Sequence, residues 1–132
     1  MKHYHVVAGV VRYEGRYLCM QKGQTKFSYT TQKYEFPGGK IEEGETAEEA
    51  LRRELLEEMD YPVTVGPHIV TVSHAYPDFA ITLEAYLCTA EHEAFTLKEH
   101  QAFCWLPVDR LPELDWAAAD VGIVRALQEQ FG

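Results

Sequence analysis

Residues 38–61, GGKIEEGETAEEALRRELLEEMDY, concentrate acidic side chains far more than the rest of the chain does. This segment carries nine acidic residues and only three basic ones. Like charges one helical turn apart destabilise a helix, so such crowding needs a reason other than local stability. Carboxylate oxygens are ligands that Mg²⁺ prefers, and Mg²⁺ in turn binds phosphate oxygens. The segment therefore predicts a site for a divalent cation and the phosphates it carries.

Three glutamates of this segment share one face of a predicted helix. Because each residue turns a helix by about 100°, Glu57 lies about 60° to one side of Glu54 and Glu58 about 40° to the other. We expect none of the three to have a basic partner one helical turn away, and Glu54 faces Glu58 as a like-charge pair. A solvated charged face is the alternative interpretation, since charge runs are usually exposed. Neighbouring alanines on the same face and the glycine-rich turn before the helix favour the cation site.

The elements that must position these glutamates can be predicted from local signals. Thr46 followed by Glu49 fits a capping box, so the helix begins after Thr46. It runs to about Met59, because Pro62 prevents much extension. The preceding segment 34–45 contains one proline and three glycines, which predict a strongly bent loop.

The remaining chain predicts a mixed α/β arrangement. Apolar, β-branched segments indicate strands, Gly and Pro-Asp indicate turns, and the polar segment 22–33 indicates a loop. The predicted strands are 5–13, 17–21, 63–76, 79–90 and 102–107, and helix is predicted over 109–131 with an interruption near Pro112. We expect one α/β domain over residues 1–132, with a mixed central sheet and helices outside it.

Composition limits the classes of partner. The chain has 132 residues, a hydrophobic fraction of 46% and a net charge of −9. Acidity argues against a nucleic acid polymer as partner, because phosphate contacts need a basic face. No apolar run is long enough to span a bilayer, and no signal peptide is recognised, so we expect no membrane association and a cytoplasmic location. Cys19, Cys88 and Cys104 lie in apolar runs and are expected to be buried free thiols.

The spacing of these residues resembles the Nudix box of the Nudix hydrolases. The matching positions are Gly39, Glu45, Arg53-Glu54-Leu55 and Glu57-Glu58, and Asp60 stands where the pattern has glycine. Aspartate tolerates the left-handed backbone conformation better than most residues, so the helix can still end there. The segments YEFPGGKIE, PDFAITL, EHQAFCW and AAAD extend the likeness to the MutT-type branch, especially its CTP pyrophosphohydrolases.

The resemblance implies a Nudix-like α/β/α sandwich and a set of site residues. It implies metal binding and catalysis by Glu54, Glu57 and Glu58, with an Arg53–Glu45 pair joining helix to loop. Further implied metal ligands are the Gly38 carbonyl and Glu99. The residues implied to contact substrate are Lys22, Glu35, Phe36, Pro37, Gly38 and Asp120. Which of the four glutamates acts as general base is left open by spacing.

Asp120 is the most informative residue for predicting which nucleobase the protein binds. The resemblance implies that it hydrogen-bonds the nucleobase, while a cap on the last helix is the alternative. An ionised aspartate accepts a hydrogen bond from the cytosine amino group, which favours a cytosine nucleotide. The N1 and N2 donors of guanine fit equally well, and a protonated aspartate would leave the choice of base open. Tyr34, Phe36 and Phe79 can either stack on the base or pack in the core. The histidines show no metal-ligand spacing, and His100 is expected at the surface.

The implied activity is hydrolysis of a nucleoside triphosphate to a monophosphate and pyrophosphate, with Mg²⁺ as cofactor and Mn²⁺ as a substitute. The expected substrate is CTP, dCTP or a modified pyrimidine triphosphate, which would sanitise the nucleotide pool. The alternatives are an 8-oxo-dGTP diphosphatase and a non-catalytic nucleotide-binding module. The sequence does not indicate an oligomeric state.

Overall fold

The structure is a computed structural model covering residues 1–132. It contains seven strands, one 3₁₀ helix and two α-helices. The strands are β1 (Lys2–Tyr13), β2 (Arg16–Lys22), β3 (Tyr34–Glu35), β4 (Gly38–Lys40), β5 (Thr64–Ala75), β6 (Phe79–Thr89) and β7 (His100–Leu106). The helices are α1 (Ala47–Met59), the 3₁₀ helix (Val108–Glu113) and α2 (Ala118–Phe131). No helix is both long and apolar enough to cross a membrane.

The sheet is mixed, as predicted. β1 runs parallel to β6 from the pair Lys2–Phe79 to the pair Arg12–Thr89, and every other strand pair is antiparallel. The strand order is β3-β2-β1-β6-β5, with β4 also pairing with β1 and β7 with β2. The long parallel pairing places β1 at the centre of the molecule, between the strands that carry the site.

One helix covers each face of the sheet. Side chains of β1 alternate between the two faces, as the strand period requires. Val7 belongs to the apolar cluster that contains Leu51 and Leu55 of α1. Val10 belongs to the opposite cluster, which contains Ile123 of α2. The predicted α/β/α sandwich is therefore confirmed, and the helix with the glutamates lies on a different face from α2.

Both ends of α1 lie where the sequence predicts them. Thr46 accepts a hydrogen bond from the Glu49 N–H and donates its own N–H to the Glu49 side chain, which completes the capping box. Asp60 ends the helix with φ 51° and ψ 37°, in the left-handed region. Its N–H donates to the carbonyls of Leu55 and Leu56. Aspartate thus takes the conformation for which the Nudix pattern has glycine.

The structure differs from the sequence prediction in three local features. The predicted bent loop 34–45 contains the short strands β3 and β4, because its extended residues find free edges on β2 and β1. Pro112 lies inside the 3₁₀ helix, since the turn bonds there use the N–H groups of Arg110 and Leu114. Cys19 and Cys88 are buried free thiols as expected, but Cys104 is only half-buried.

Candidate active site

Glu54 is packed against the glycine bend. Its side chain is only 14% exposed. A Cβ atom on Gly39 would overlap the Glu54 carboxylate, and one on Gly38 would overlap the backbone of Val7. Only glycine therefore lets β4 approach α1 this closely. The bend and the helix form one unit, with a carboxylate at their junction.

Arg53 ties this unit together. Its guanidinium donates to both oxygens of Glu45, at 2.7 Å and 2.9 Å, and to the carbonyl of Lys40 at 3.1 Å. It also donates to Glu54 at 3.0 Å and to Glu57 at 3.1 Å. The hydrogen bond from Arg53 is the largest of the effects that lower the pKa of Glu45. The predicted pair between helix and loop is present in the structure.

Glu57 is more exposed than Glu54 in this structure. Its side chain is 59% exposed and pairs with Arg53, one helical turn earlier. The expectation that the glutamate face lacks a basic partner one turn away was therefore wrong, because Arg53 lies one turn before Glu57 and pairs with it. Glu54 and Glu58 form the buried part of the cluster.

Glu58 is a buried carboxylate with an unsatisfied oxygen. Its Oε2 atom is buried and has no hydrogen-bond partner. Burial, together with the negative charges of Glu54, Glu99 and Glu35, raises the pKa of the Glu58 carboxyl to about 9. A buried oxygen without a partner is costly, so this position fits a bound cation. No three His, Cys, Asp or Glu side chains already converge as a complete metal site.

Glu99 approaches this cluster from a loop outside the box. The loop is fastened to the end of α1, since Thr96 donates its N–H to the Met59 carbonyl at 2.9 Å. Lys98 also pairs with Asp60 at 3.1 Å. The Glu99 carboxylate is exposed, and its charge acts on Glu58. The structure thus brings together the glutamates from both segments.

A cleft of about 820 Å³ lies beside the glycine bend, between the sheet and the loop 23–33. Five of the six residues implied to contact substrate line it: Lys22, Glu35, Phe36, Gly38 and Asp120. Pro37 does not line it, because this residue is buried and its carbonyl accepts the Gly9 N–H at 2.7 Å. The placement of Pro37 in the substrate set is therefore not supported by the geometry.

Aromatic side chains form one wall of the cleft. Phe79 lines it and contacts Tyr76, with ring centroids 4.9 Å apart, and Phe27, at 5.6 Å. Phe36 is 2% exposed and stacks on Trp116. Tyr34 is not a lining residue. Of the three stacking candidates, Phe79 is the one with a ring available to a ligand.

Part of the cleft lining was not predicted from the sequence. Tyr4, Phe27 and Tyr76 come from three separate elements, and no local pattern distinguishes them from core residues. Four of the six lysines line the same cleft: Lys2, Lys22, Lys26 and Lys40. The net charge of −9 does not show this cluster of lysines, because it sums over the whole chain. The cleft therefore combines a basic rim with an aromatic wall.

Asp120 lines the cleft from a nearly buried position. It is 6% exposed, and its Oδ1 accepts the Phe36 N–H at 3.0 Å. The N-cap residue of α2 is Ala117, and no side chain caps this helix. Burial and, to a smaller extent, the nearby charge of Glu35 raise the pKa of Asp120 to about 8. The capping alternative is thus not what the structure contains.

Comparisons with known proteins identify the family. The family description "NUDIX domain" matches residues 3–127. The chain belongs to the Nudix family. An 8-oxo-dGTP diphosphatase of Proteus vulgaris is 39% identical over 98 residues, which cover 74% of this chain and 87% of the relative. A CTP pyrophosphohydrolase of Escherichia coli is 31% identical over 126 residues, which cover 96% of this chain and 92% of the relative.

Solved structures agree with this assignment. The solution structure of the E. coli ORF135 protein superposes with a TM-score of 0.81 at 30% identity, covering 98% of this chain and 91% of that one. The MutT protein of methicillin-resistant Staphylococcus aureus 252 superposes with a TM-score of 0.76 at 37% identity, covering 98% and 99%. This Nudix chain is a hydrolase of the MutT type that acts on nucleotides.

Proposed function

We propose that this Nudix hydrolase is a Mg²⁺-dependent nucleoside triphosphate pyrophosphohydrolase, which releases a nucleoside monophosphate and pyrophosphate. The observation that carries the proposal is the buried, unpartnered oxygen of Glu58 beside Glu54 at the glycine bend. This oxygen lies on the side of the molecule where Glu99 and the cleft residue Glu35 also place negative charge. Such an arrangement favours a cation over an empty acidic cluster.

The residues that would hold the cation are Glu54, Glu57, Glu58 and Glu99, with the Gly38 carbonyl. A bound Mg²⁺, or Mn²⁺ in its place, supplies positive charge that neutralises the phosphate oxygens during attack by water. Glu57 is free to turn from Arg53 because its side chain is exposed. A carboxylate of this set can accept the proton of the attacking water.

The cleft binds the nucleoside end in this proposal. Phe79 stacks on the base, Asp120 hydrogen-bonds its edge, and Lys22 lies near the phosphates. We favour CTP, dCTP or a modified pyrimidine triphosphate, which would make the enzyme a sanitiser of the nucleotide pool. In its ionised form, Asp120 accepts a hydrogen bond from the cytosine amino group, which suits a cytosine nucleotide.

A second candidate substrate is 8-oxo-dGTP. The raised pKa of Asp120 favours it, because a protonated carboxyl both donates and accepts a hydrogen bond and so pairs with purine edges as well. Several relatives carry the name 8-oxo-dGTP diphosphatase. A non-catalytic nucleotide-binding module is disfavoured, because the glutamate set of the box is intact.

A nucleotide panel tests the proposal. The purified protein is incubated with Mg²⁺ and CTP, dCTP, modified pyrimidine triphosphates or 8-oxo-dGTP, and pyrophosphate release is measured. Release from a pyrimidine nucleotide supports the first candidate, and preference for 8-oxo-dGTP supports the second. No release from any nucleotide rejects both.

A variant tests the assigned chemistry in the same assay. Glu57→Gln should abolish turnover while far-UV circular dichroism and melting temperature stay near those of the wild type. Unchanged turnover would reject the role of Glu57.

A further inference from the structure

The Glu35 carboxylate influences both parts of the site, the glutamate cluster and the cleft. Glu35 lines the cleft from β3. Its charge acts on Glu58, in the glutamate cluster, and on Asp120, in the lining of the cleft. A small rotation of this side chain would therefore change the surroundings of both. Whatever fixes its orientation matters for how a nucleotide sits.

Two side chains engage Glu35, one at each oxygen. Lys22 Nζ lies 3.4 Å from Oε1. His100 Nε2 lies 2.8 Å from Oε2, and the His100 side chain is only 7% exposed. The shorter contact comes from the more deeply buried partner. Because a carboxylate paired with Lys22 accepts rather than donates, the ring proton of His100 is placed on Nε2.

A bulge in β7 produces this arrangement. Gln21 pairs with Ala102, but the next residue, Lys22, pairs with His100, so Gln101 is the extra residue. A bulge of this kind re-aims a side chain next to a functional site. Directly opposed residues of two strands point to the same face, so His100 and Lys22 both reach Glu35. Without the bulge, Gln101 would stand opposite Lys22.

We propose that His100 is a positioning residue, whose Nε2–H, together with Lys22, holds the Glu35 carboxylate in the orientation that binds the nucleotide. His100 acts through Glu35 and does not touch the substrate. It follows Glu99 in the chain, so one short segment serves both the glutamate cluster and the cleft. The inference rests on the proposed function, since it takes Glu35 to be a substrate contact.

Two amide substitutions separate this role from simple packing. Glutamine carries its amide nitrogen near the position of Nε2, whereas asparagine carries it near Nδ1, and both are polar and fit the space. We expect His100→Asn to raise the KM for CTP with Mg²⁺ about tenfold, the size of one lost hydrogen bond to a charged group, with kcat nearly unchanged. His100→Gln should recover most of that loss. Equal effects of the two substitutions would overturn the proposal.

A double-mutant cycle tests whether His100 acts through Glu35. In a Glu35→Ala background, His100→Asn should have no further effect on KM, whereas independent roles would give additive effects. His3→Asn is the matched control, because His3 is an exposed β1 residue whose side chain hydrogen-bonds Thr82 and does not line the cleft. Additivity in the cycle would overturn the proposal. Melting temperatures identify any variant that is merely misfolded.

The position of the His100 ring proton can be measured by NMR without any enzymatic turnover. Long-range ¹H–¹⁵N spectra of the wild type should show His100 with its proton on Nε2, and Glu35→Ala should release this preference. A proton on Nδ1 in the wild type would overturn the proposal. If no nucleotide is hydrolysed, the proposed function fails by that result alone, and these spectra still decide whether His100 holds Glu35.

Discussion

Arg53 and Glu45 form a two-point ion pair, with Nε 2.7 Å from one carboxylate oxygen and Nη2 2.9 Å from the other. The same guanidinium reaches the Lys40 carbonyl, so one side chain fastens the glycine bend to α1. Arg53 is only 24% exposed, which makes this pair stronger than an ordinary surface contact. The position of Glu54 relative to the bend depends on it.

Arg53→Lys should impair catalysis, because lysine cannot form the two parallel bonds to Glu45. We expect kcat/KM for pyrophosphate release to fall about 10- to 100-fold, the equivalent of one or two charged hydrogen bonds. Arg52→Lys is the matched control, since the neighbouring arginine is exposed and pairs only with Glu48. Equal activity of the two variants would show that the two parallel hydrogen bonds from Arg53 to Glu45 are not needed for catalysis.

Glu58→Gln should stabilise the metal-free protein while removing its response to Mg²⁺. The substitution removes a buried carboxylate without a partner, which costs folding free energy when no cation is present. The wild type should melt at a higher temperature with Mg²⁺ than with a chelator, because ligand binding to the folded state stabilises it. A Glu58→Gln variant that keeps the full Mg²⁺ shift would contradict the assignment. Glu48→Gln, on the exposed face, should keep the shift.

Asp120→Asn should change how stability depends on pH. The folded-state pKa of Asp120 is raised to about 8, above the usual range of aspartate. The protonated form is thus favoured by folding, and its stabilisation is present at low pH and lost as pH rises from about 4 to about 8. Urea unfolding with a chelator should show a smaller decline over this range for the Asp120→Asn variant, whose amide oxygen still accepts the Phe36 N–H. Parallel pH profiles would contradict the raised pKa.

Tyr29→Phe should loosen the loop 23–33 over the cleft. The Tyr29 hydroxyl donates to Asp78 Oδ2 at 2.6 Å, and its ring stacks between Phe27 and Tyr76. Phenylalanine keeps the ring but loses the bond, so we expect faster limited proteolysis within the loop and a KM raised about two- to fivefold. Tyr13→Phe, at the far end of β1, should match the wild type in both measurements. Unchanged proteolysis of the Tyr29 variant would show that the bond does not hold the loop.

Local signals predicted the helix and its ends well. The capping box at Thr46 and the left-handed residue Asp60 depend on a few neighbouring residues, so sequence alone contains the information. The pairing of β1 with β6 was not predictable in detail, because it joins residues almost eighty positions apart. The glycine bend was predicted, but its two short strands depend on free edges elsewhere in the sheet.

Parts of the site escaped sequence analysis for the same reason. The Arg53–Glu57 contact could have been found from the one-turn spacing, which places a basic residue before Glu57. His100, in contrast, was expected at the surface and is nearly buried, because a bulge in β7 changes its direction. Nothing in the local pattern signals that bulge.

The central place of β1 has a consequence for biosynthesis. This strand is synthesised well before its longest partner, β6, which ends only at Thr89. Until then the apolar residues of β1 can pack only against β2, β4 and α1, which leaves the edge that pairs with β6 open. Contacts that span so much of the chain slow folding and leave nascent strands open to aggregation. The central position of β1 in the sheet thus leaves this strand open to chaperone binding until β6 has been synthesised.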